Sequence, residues 1–172
     1  SADMAKNLVM VGPRYDGIDQ SGQPYSVTAT VARQADGNED VLLLLKPTAD
    51  LTLSDGAWAA LSAEKGRYNR KSEHIFLAEN VNFFHDRGFE LRTSEAEIDF
   101  VKNVATSDKP VEGQGPSGYI EAEGFVFQQA GGILLFTGKS HLTVLPEPKG
   151  PKGEEPGSSV PDPVLNLPPK AA

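Results

Sequence analysis

The chain's three histidines are the first candidates for metal binding or proton transfer, because imidazole serves in both. They are His74, His85 and His141. The only acidic residues directly beside them are Glu73, before His74, and Asp86, after His85. Adjacent residues of a strand point to opposite faces, so these pairs make poor co-ligands. His85 falls in a predicted hairpin turn, where we expect a solvated side chain. We therefore predict no metal site and no cofactor.

Two carboxylate pairs have the spacing of one strand face, Glu95 with Glu97 and Glu121 with Glu123. A glycosidase needs two carboxyl groups a few ångströms apart, with the pKa of one of them raised. These pairs fall on the predicted solvent face, where nothing removes them from water. A solvated polar surface is therefore favoured over a carbohydrate-active enzyme, which stays the weakest alternative.

Nucleophile and phosphate-binding motifs are missing from the sequence. It has no cysteine and no Gly-x-Ser-x-Gly motif. Residues 113–118 (GQGPSG) are glycine-rich, but they precede a predicted strand and lack the lysine and the helix start that phosphate binding uses. We therefore predict that the chain has no catalytic residues and is not an enzyme.

Composition excludes further classes of function. The 172 residues carry a formal net charge of −8, and an acidic chain repels the phosphate backbone, so we expect no nucleic-acid partner. No run of 18 apolar residues is present, so nothing in this sequence reads as a membrane span. The chain opens with Ser1-Ala2-Asp3, without an initiator methionine, so we read it as trimmed, and an N-terminal anchor or signal could have been removed ahead of it.

The elements that position these side chains read as strands. Alternation of apolar and polar residues with period two recurs between turn signals about ten residues apart, which is typical of a sandwich, a barrel or an open β-solenoid. The only helical alternative is residues 57–65, whose side chains fit a strand as well. A loop is predicted for 110–118. The predicted strands are 25–31, 41–45, 48–53, 58–63, 75–84, 89–93, 95–101, 119–127 and 133–145.

The composition changes after Leu145. Residues 146–172 hold 8 of the chain's 13 prolines, and proline has no N–H to donate to a sheet. We therefore predict a β domain over residues 1–145 and a disordered, proline-rich tail over 146–172.

An internal repeat is the most informative pattern. A gapless alignment puts Ala63-Glu64 on Ala122-Glu123, and a half step puts Thr93-Ser94 on the same two positions. The repeat unit is therefore about 30 residues, in the range of solenoid-like repeats, and reads as two strands joined by a turn. The apolar matches in this alignment are Tyr68 with Phe127, Ile75 with Leu134, Leu77 with Phe136, and Phe83 with Leu142.

Stacked units of this kind make an antiparallel sheet with one continuous apolar side. That side can close on itself as a filled core, or it can stay partly open as a groove. The filled core is favoured on physical grounds alone, because water-exposed apolar patches are usually small.

The last predicted strand is the natural edge for a partner, because an open sheet ends in unpaired N–H and C=O groups. The alternative, in which the proline-rich tail covers this edge, stays open. Lys139 discourages indiscriminate pairing. The predicted partner-edge residues are Ile133, Leu135, Thr137, Lys139, His141, Thr143 and Leu145.

Several segments together resemble a known family. They are 10–17 (MVGPRYDG), 22–29 (GQPYSVTA), 61–68 (LSAEKGRY), 84–93 (FHDRGFELRT), 111–116 (VEGQGP) and 135–139 (LFTGK). In this order they resemble the LptC family, the periplasmic, membrane-anchored component of the lipopolysaccharide export machine, over roughly residues 8–145.

The resemblance implies a twisted, boat-like antiparallel β-jelly-roll that is open along one seam. It implies a periplasmic location, with an N-terminal helix, absent from this sequence, that tethers the protein to the inner membrane. It also implies that the protein receives lipopolysaccharide from an inner-membrane ABC transporter and passes it to LptA, a periplasmic bridge protein of the same fold. The net negative charge is unfavourable beside an anionic lipid, but each buried methylene contributes about 0.8 kcal/mol in return.

On this hypothesis the acyl chains lie in the apolar interior. A continuous apolar channel would favour such a carrier, and a filled interior would favour the alternative, a structural or adaptor module that binds only protein through its edge. The residues predicted to contact the lipid are Leu51, Leu53, Ile75, Leu77, Val81, Phe83, Leu91, Ile98, Phe127, Leu134, Phe136 and Leu142.

Overall fold

The computed structural model describes residues 8–146, and in this range it contains sixteen antiparallel β-strands and no α-helix. A single turn of 3-10 helix covers Ala130–Gly132. The strands are β1 (Val9–Val11), β2 (Arg14–Ile18), β3 (Pro24–Thr28), β4 (Val31–Ala35), β5 (Asn38–Leu45), β6 (Thr48–Thr52), β7 (Trp58–Ser62), β8 (Lys65–Asn69), β9 (His74–His85), β10 (Phe89–Asp99), β11 (Val104–Ser107), β12 (Val111–Gly115), β13 (Gly118–Ala122), β14 (Gly124–Gln128), β15 (Ile133–Thr137) and β16 (His141–Val144).

The strands form two sheets that share β9 and β10. Sheet I has the order β1-β4-β5-β8-β9-β10-β11-β14-β15. Sheet II has the order β2-β3-β6-β7-β9-β10-β12-β13-β16. The first half of β9 pairs with β8 in sheet I, and its second half pairs with β7 in sheet II. The result is the expected boat-like antiparallel jelly-roll, which the structure confirms.

The chain passes from one sheet to the other at short crossing segments. In β9 the crossing lies at Glu79 and Asn80, which have positive φ, and in β10 it lies at a register shift between Thr93 and Glu95. Each repeat of about 30 residues contains two such crossings. The aligned pairs Ala63-Glu64, Thr93-Ser94 and Ala122-Glu123 all fall at crossings, so the repeat found in the sequence is a structural one.

Three segments that the sequence predicts as single strands are each two strands in the structure. Residues 25–31, 119–127 and 133–145 each divide at a crossing, into β3 and β4, β13 and β14, and β15 and β16. The apolar alternation runs on through a crossing, because both sheets turn their apolar side to the same interior. Periodicity therefore detects the strand and misses the point at which it changes sheet.

The loop predicted for 110–118 is also wrong, because β12 lies within it and pairs with both β10 and β13. Gly113 lies on the side of sheet II that faces the core, where an added Cβ would collide with the Leu91 side chain. Glycine here allows a close approach of two strands and does not mark a turn. The helical alternative for residues 57–65 is excluded, because Trp58–Ser62 is strand β7.

The hydrophobic core lies between the two sheets. It is built from the inward-facing residue of each alternating pair, and its largest members include Tyr68, Phe83, Phe125 and Phe127, all almost fully buried. Burial of one such side chain contributes about 1.5–3 kcal/mol, so this core is the main source of stability. The predicted tail begins at Pro146, and residues 147–172 lie outside the described residues, as do residues 1–7.

Candidate functional site: the interior, its seam and its edges

The two sheets are joined covalently at the crossings, and their hairpin turns meet on the opposite side. We call the line where these turns meet the seam. The turns of sheet I that border it lie at 70–73, 100–103 and 129–132, and those of sheet II lie at 19–23, 53–57 and 86–88. No crossing connects the sheets along this line, so side-chain contacts alone hold the seam together.

The predicted lipid-contacting residues face this interior together. Except for Phe136 and Leu142, each belongs to the buried core. Phe83 of sheet II and Phe127 of sheet I meet edge to face, with ring centroids 5.1 Å apart. Phe136 is half-buried against the core. Leu142 is 37% exposed, because it lies on β16, the last strand of sheet II within the part of the chain that the structure describes.

The interior is packed, because the ten predicted lining residues that belong to the core are at most 5% exposed, which leaves no water-sized channel between them. A small apolar cavity of about 20 Å³ lies near the C-terminal end, between Leu91, Ile120, Leu134 and Phe136. A cavity of this size holds about one water molecule. An acyl chain therefore has no room in this conformation, and it can enter only if the two sheets separate along the seam.

Aromatic contacts close the seam at its N-terminal half. The Tyr25 hydroxyl of sheet II donates a 2.6 Å hydrogen bond to Glu73 Oε1 of sheet I. The Tyr25 ring stacks on Phe100 with centroids 3.9 Å apart, and its hydroxyl lies 3.5 Å from that of Tyr68. Burial, followed by the hydrogen bond to Glu73, raises the pKa of Tyr25 far above its ordinary value, so the phenol stays protonated and can donate.

Two amide side chains connect the turns further along the seam. The Asn103 side chain of sheet I contacts the 19–23 turn of sheet II. With its amide nitrogen facing Asp19, it donates to Asp19 Oδ2 at 3.1 Å and accepts from Ser21 Oγ at 3.1 Å. Gln129 of sheet I donates to the backbone carbonyl of Thr52 in sheet II. The sequence does not predict these contacts, because no local pattern links residues so far apart in the chain.

His85 is buried, and the expectation of a solvated side chain is wrong. It is 8% exposed, and its ring stacks on Phe89 with centroids 4.6 Å apart. Its Nδ1 accepts a 3.0 Å hydrogen bond from the Arg87 backbone N–H. His85 shares the inward phase of Val81 and Phe83, and this phase could have indicated its burial. Burial lowers the pKa of the imidazole.

The structure divides the predicted partner edge into two separate edges, one in each sheet. Among residues 8–146, β15 pairs only with β14 and ends sheet I, whereas β16 pairs only with β13 and ends sheet II. At the other end of the molecule, β1 and β2 are the corresponding edges. The predicted residues divide accordingly, with Ile133, Leu135 and Thr137 on β15, Lys139 in the crossing, His141 and Thr143 on β16, and Leu145 directly after it.

The remaining polar candidates lie on outer surfaces. Glu95 is 4.0 Å from Lys109 Nζ and Glu97 is 3.9 Å from His74 Nε2, and all four side chains are substantially exposed. Between residues 8 and 146, no group of three or more His, Asp and Glu residues has an arrangement that could hold a metal ion. None of the helical structure in that range is long and apolar enough to cross a membrane.

Comparison with known proteins agrees with this architecture. A family model described as "Lipopolysaccharide-assembly, LptC-related" matches residues 2–143, which is most of the chain. No curated protein matches the chain significantly. The chain belongs to the LptC-related family of lipopolysaccharide-assembly proteins.

Proposed function

We propose that this protein carries lipopolysaccharide through the periplasm, from an inner-membrane ABC transporter to an LptA-like bridge protein, while tethered to the inner membrane. The observation that supports this most directly is an apolar interior between two sheets that are joined covalently on one side only. The contacts across the seam are few and partly polar, so the interior can become accessible without breaking the backbone hydrogen bonds of either sheet.

The energetics of acyl-chain binding are favourable under this proposal. An acyl chain that replaces side-chain contacts of Phe83, Phe127 and their neighbours buries its own methylenes, each contributing about 0.8 kcal/mol. A hydrogen bond lost at the seam costs about 0.5–1.5 kcal/mol. A chain of ten or so methylenes therefore outweighs the few seam contacts. The anionic headgroup stays in water outside the seam, where screening limits its repulsion by the net charge of −8.

The strand edges give the carrier its direction. Sheet edges accept another protein's strand through main-chain hydrogen bonds. We assign the C-terminal edges, β15 and β16, to the bridge protein and the N-terminal edges, β1 and β2, to the transporter side. This arrangement is head to tail, so it extends one apolar interior into the next.

Site-specific photo-crosslinkers test the lipid path. We expect an interior probe at Ile75 or Phe136 to capture lipopolysaccharide in cells, because both face the proposed path. Probes at Glu95, which is partly exposed, and at Glu121, which is exposed, are controls because both positions point away from the interior. Lipid adducts that are no more abundant at Ile75 and Phe136 than at the controls would count against the proposal.

The packed interior favours a second candidate, an adaptor module with a dry core that binds only proteins through its edges. The two functions differ in one result. An adaptor would give no lipid adduct at Ile75 or Phe136 and would still bind the bridge protein in a pull-down, whereas a carrier would do both.

A further inference from the structure

The outer face of sheet I, which points away from the interior, carries an unusual number of apolar side chains. Leu45 and Val9 are 46% and 54% exposed, and Leu43 and Phe76 are half-buried. Leu43, Leu45 and Phe76 line, together with three cationic side chains, a shallow groove of about 500 Å³. Its lining residues on this face are Val31, Arg33, Leu43, Leu45, Lys65, Arg67, Phe76 and Ala78.

Opposite charges flank this groove on the two sides of β9. Arg67 of β8 and Glu97 of β10 are both paired in register with Phe76 of β9. Lys65 of β8 and Glu95 of β10 are likewise both paired with Ala78. Lys65 also lies 3.1 Å from Glu79, and Glu95 lies 4.0 Å from Lys109. Arg67 and Glu97 therefore carry most of the charge contrast between the two sides of β9, with Phe76 between them.

This pattern is self-complementary. A two-fold axis that runs along β9, between two stacked copies of the face, exchanges β8 of one copy with β10 of the other. Arg67 then faces Glu97 of the second copy, and Lys65 faces its Glu95, while Phe76 and Ala78 meet their own equivalents at the axis. We propose that the outer face of sheet I binds a second copy of this chain, back to back, in a symmetric dimer.

A second copy fits this face better than an anionic ligand does. An acidic peptide or an anionic lipid surface would gain from Arg33 and Arg67, but it would be repelled by Glu95 and Glu97 on the same face. Two sheets stacked in this way lie about 10 Å apart with their side chains interdigitated. Both the seam and the strand edges stay free, so the dimer is compatible with the proposed lipid path.

Charge reversal tests the proposed dimer, using sedimentation equilibrium of the full chain. We expect the wild type to dimerise, and we expect R67E and E97R to weaken the dimer at least tenfold, since each places like charges opposite one another. The double variant R67E/E97R restores the opposition of unlike charges and should regain most of the affinity. An anionic partner would not give this rescue.

R92E is the matched control, because Arg92 is an exposed arginine on the outer face of sheet II, paired in register with Glu112. It should leave association unchanged, and circular dichroism should show that every variant keeps its strands. A wild type that stays monomeric at about 1 mM, where a dimer would be worth only about −4 kcal/mol, would overturn the proposal. Single variants without effect, or a double variant that fails to rescue, would do the same.

Discussion

At the scale of single residues, His85 places a titratable ring inside the apolar interior. Its imidazole stacks on Phe89 and lies 6.5 Å, centroid to centroid, from the Phe127 ring of the opposite sheet. Burial disfavours the charged form and lowers the pKa, and the weaker effect of Asp86 in the opposite direction does not reverse this. Protonation of His85 therefore acts against the packing of the two sheets.

The pH dependence of stability follows from this sign. The folded-state pKa of His85 lies below the ordinary value of about 6.5, so the unfolded chain takes up the proton first as the pH falls. Stability is therefore complete above about pH 6.5 and decreases as the pH falls towards the folded-state pKa. We expect H85N, which retains an acceptor for the Arg87 N–H, to show a smaller decrease in melting temperature between about pH 7.5 and 5 than the wild type. H141N changes an exposed histidine, so its melting temperature should fall with pH as much as that of the wild type. Equal slopes in H85N and the wild type would contradict this assignment.

At the scale of elements, the crossings decide which side chains form each edge. β13 holds the final strand of sheet II through Gly118, where an added Cβ would collide with the Thr143 backbone carbonyl. Backbone atoms cannot move aside as a flexible side chain can. The edge strand β16 therefore depends on this close approach.

The change G118A should displace β16 from β13. We expect a loss of about 1–3 kcal/mol in the free energy of unfolding and a clear loss of bridge-protein binding in a pull-down. G22A is the control, because Gly22 has a φ of +85°, so alanine there is also strained, but at a turn of the seam far from β16. Unchanged binding by G118A would show that β16 is not part of the partner edge.

The sequence predicted the inward-facing positions more reliably than the limits of the strands, and it left β1, β2, β8 and β11 unpredicted. The alternation of apolar and polar residues records which face each side chain takes, and it continues when the chain changes sheet. For this reason β9 was predicted almost to its ends, whereas the division of 133–145 was missed. β12 was missed because its two glycines, Gly113 and Gly115, resemble a turn when the neighbouring strands are not known. The buried position of ten lining residues followed from the repeat, since equivalent positions in each unit face the same interior.

At the scale of the whole molecule, the state of the seam separates a carrier from an adaptor. Whether the interior is closed depends on contacts such as Tyr25 with Glu73 and Gln129 with Thr52, which join residues far apart in the chain. No periodic pattern encodes such pairs, so sequence reasoning could identify the apolar interior without determining that it is packed.

A reversible lock across the seam tests the central claim most directly. The variant S21C/N103C places one thiol on each side of a native side-chain contact across the seam, and the sequence has no other cysteine to interfere. A photo-crosslinker at Phe83 in this variant should capture lipopolysaccharide when the thiols are reduced. After oxidation, verified by loss of free thiols, the adduct should disappear, and reductant should restore it. Equal capture in the oxidised and reduced forms would contradict entry of the lipid through the seam.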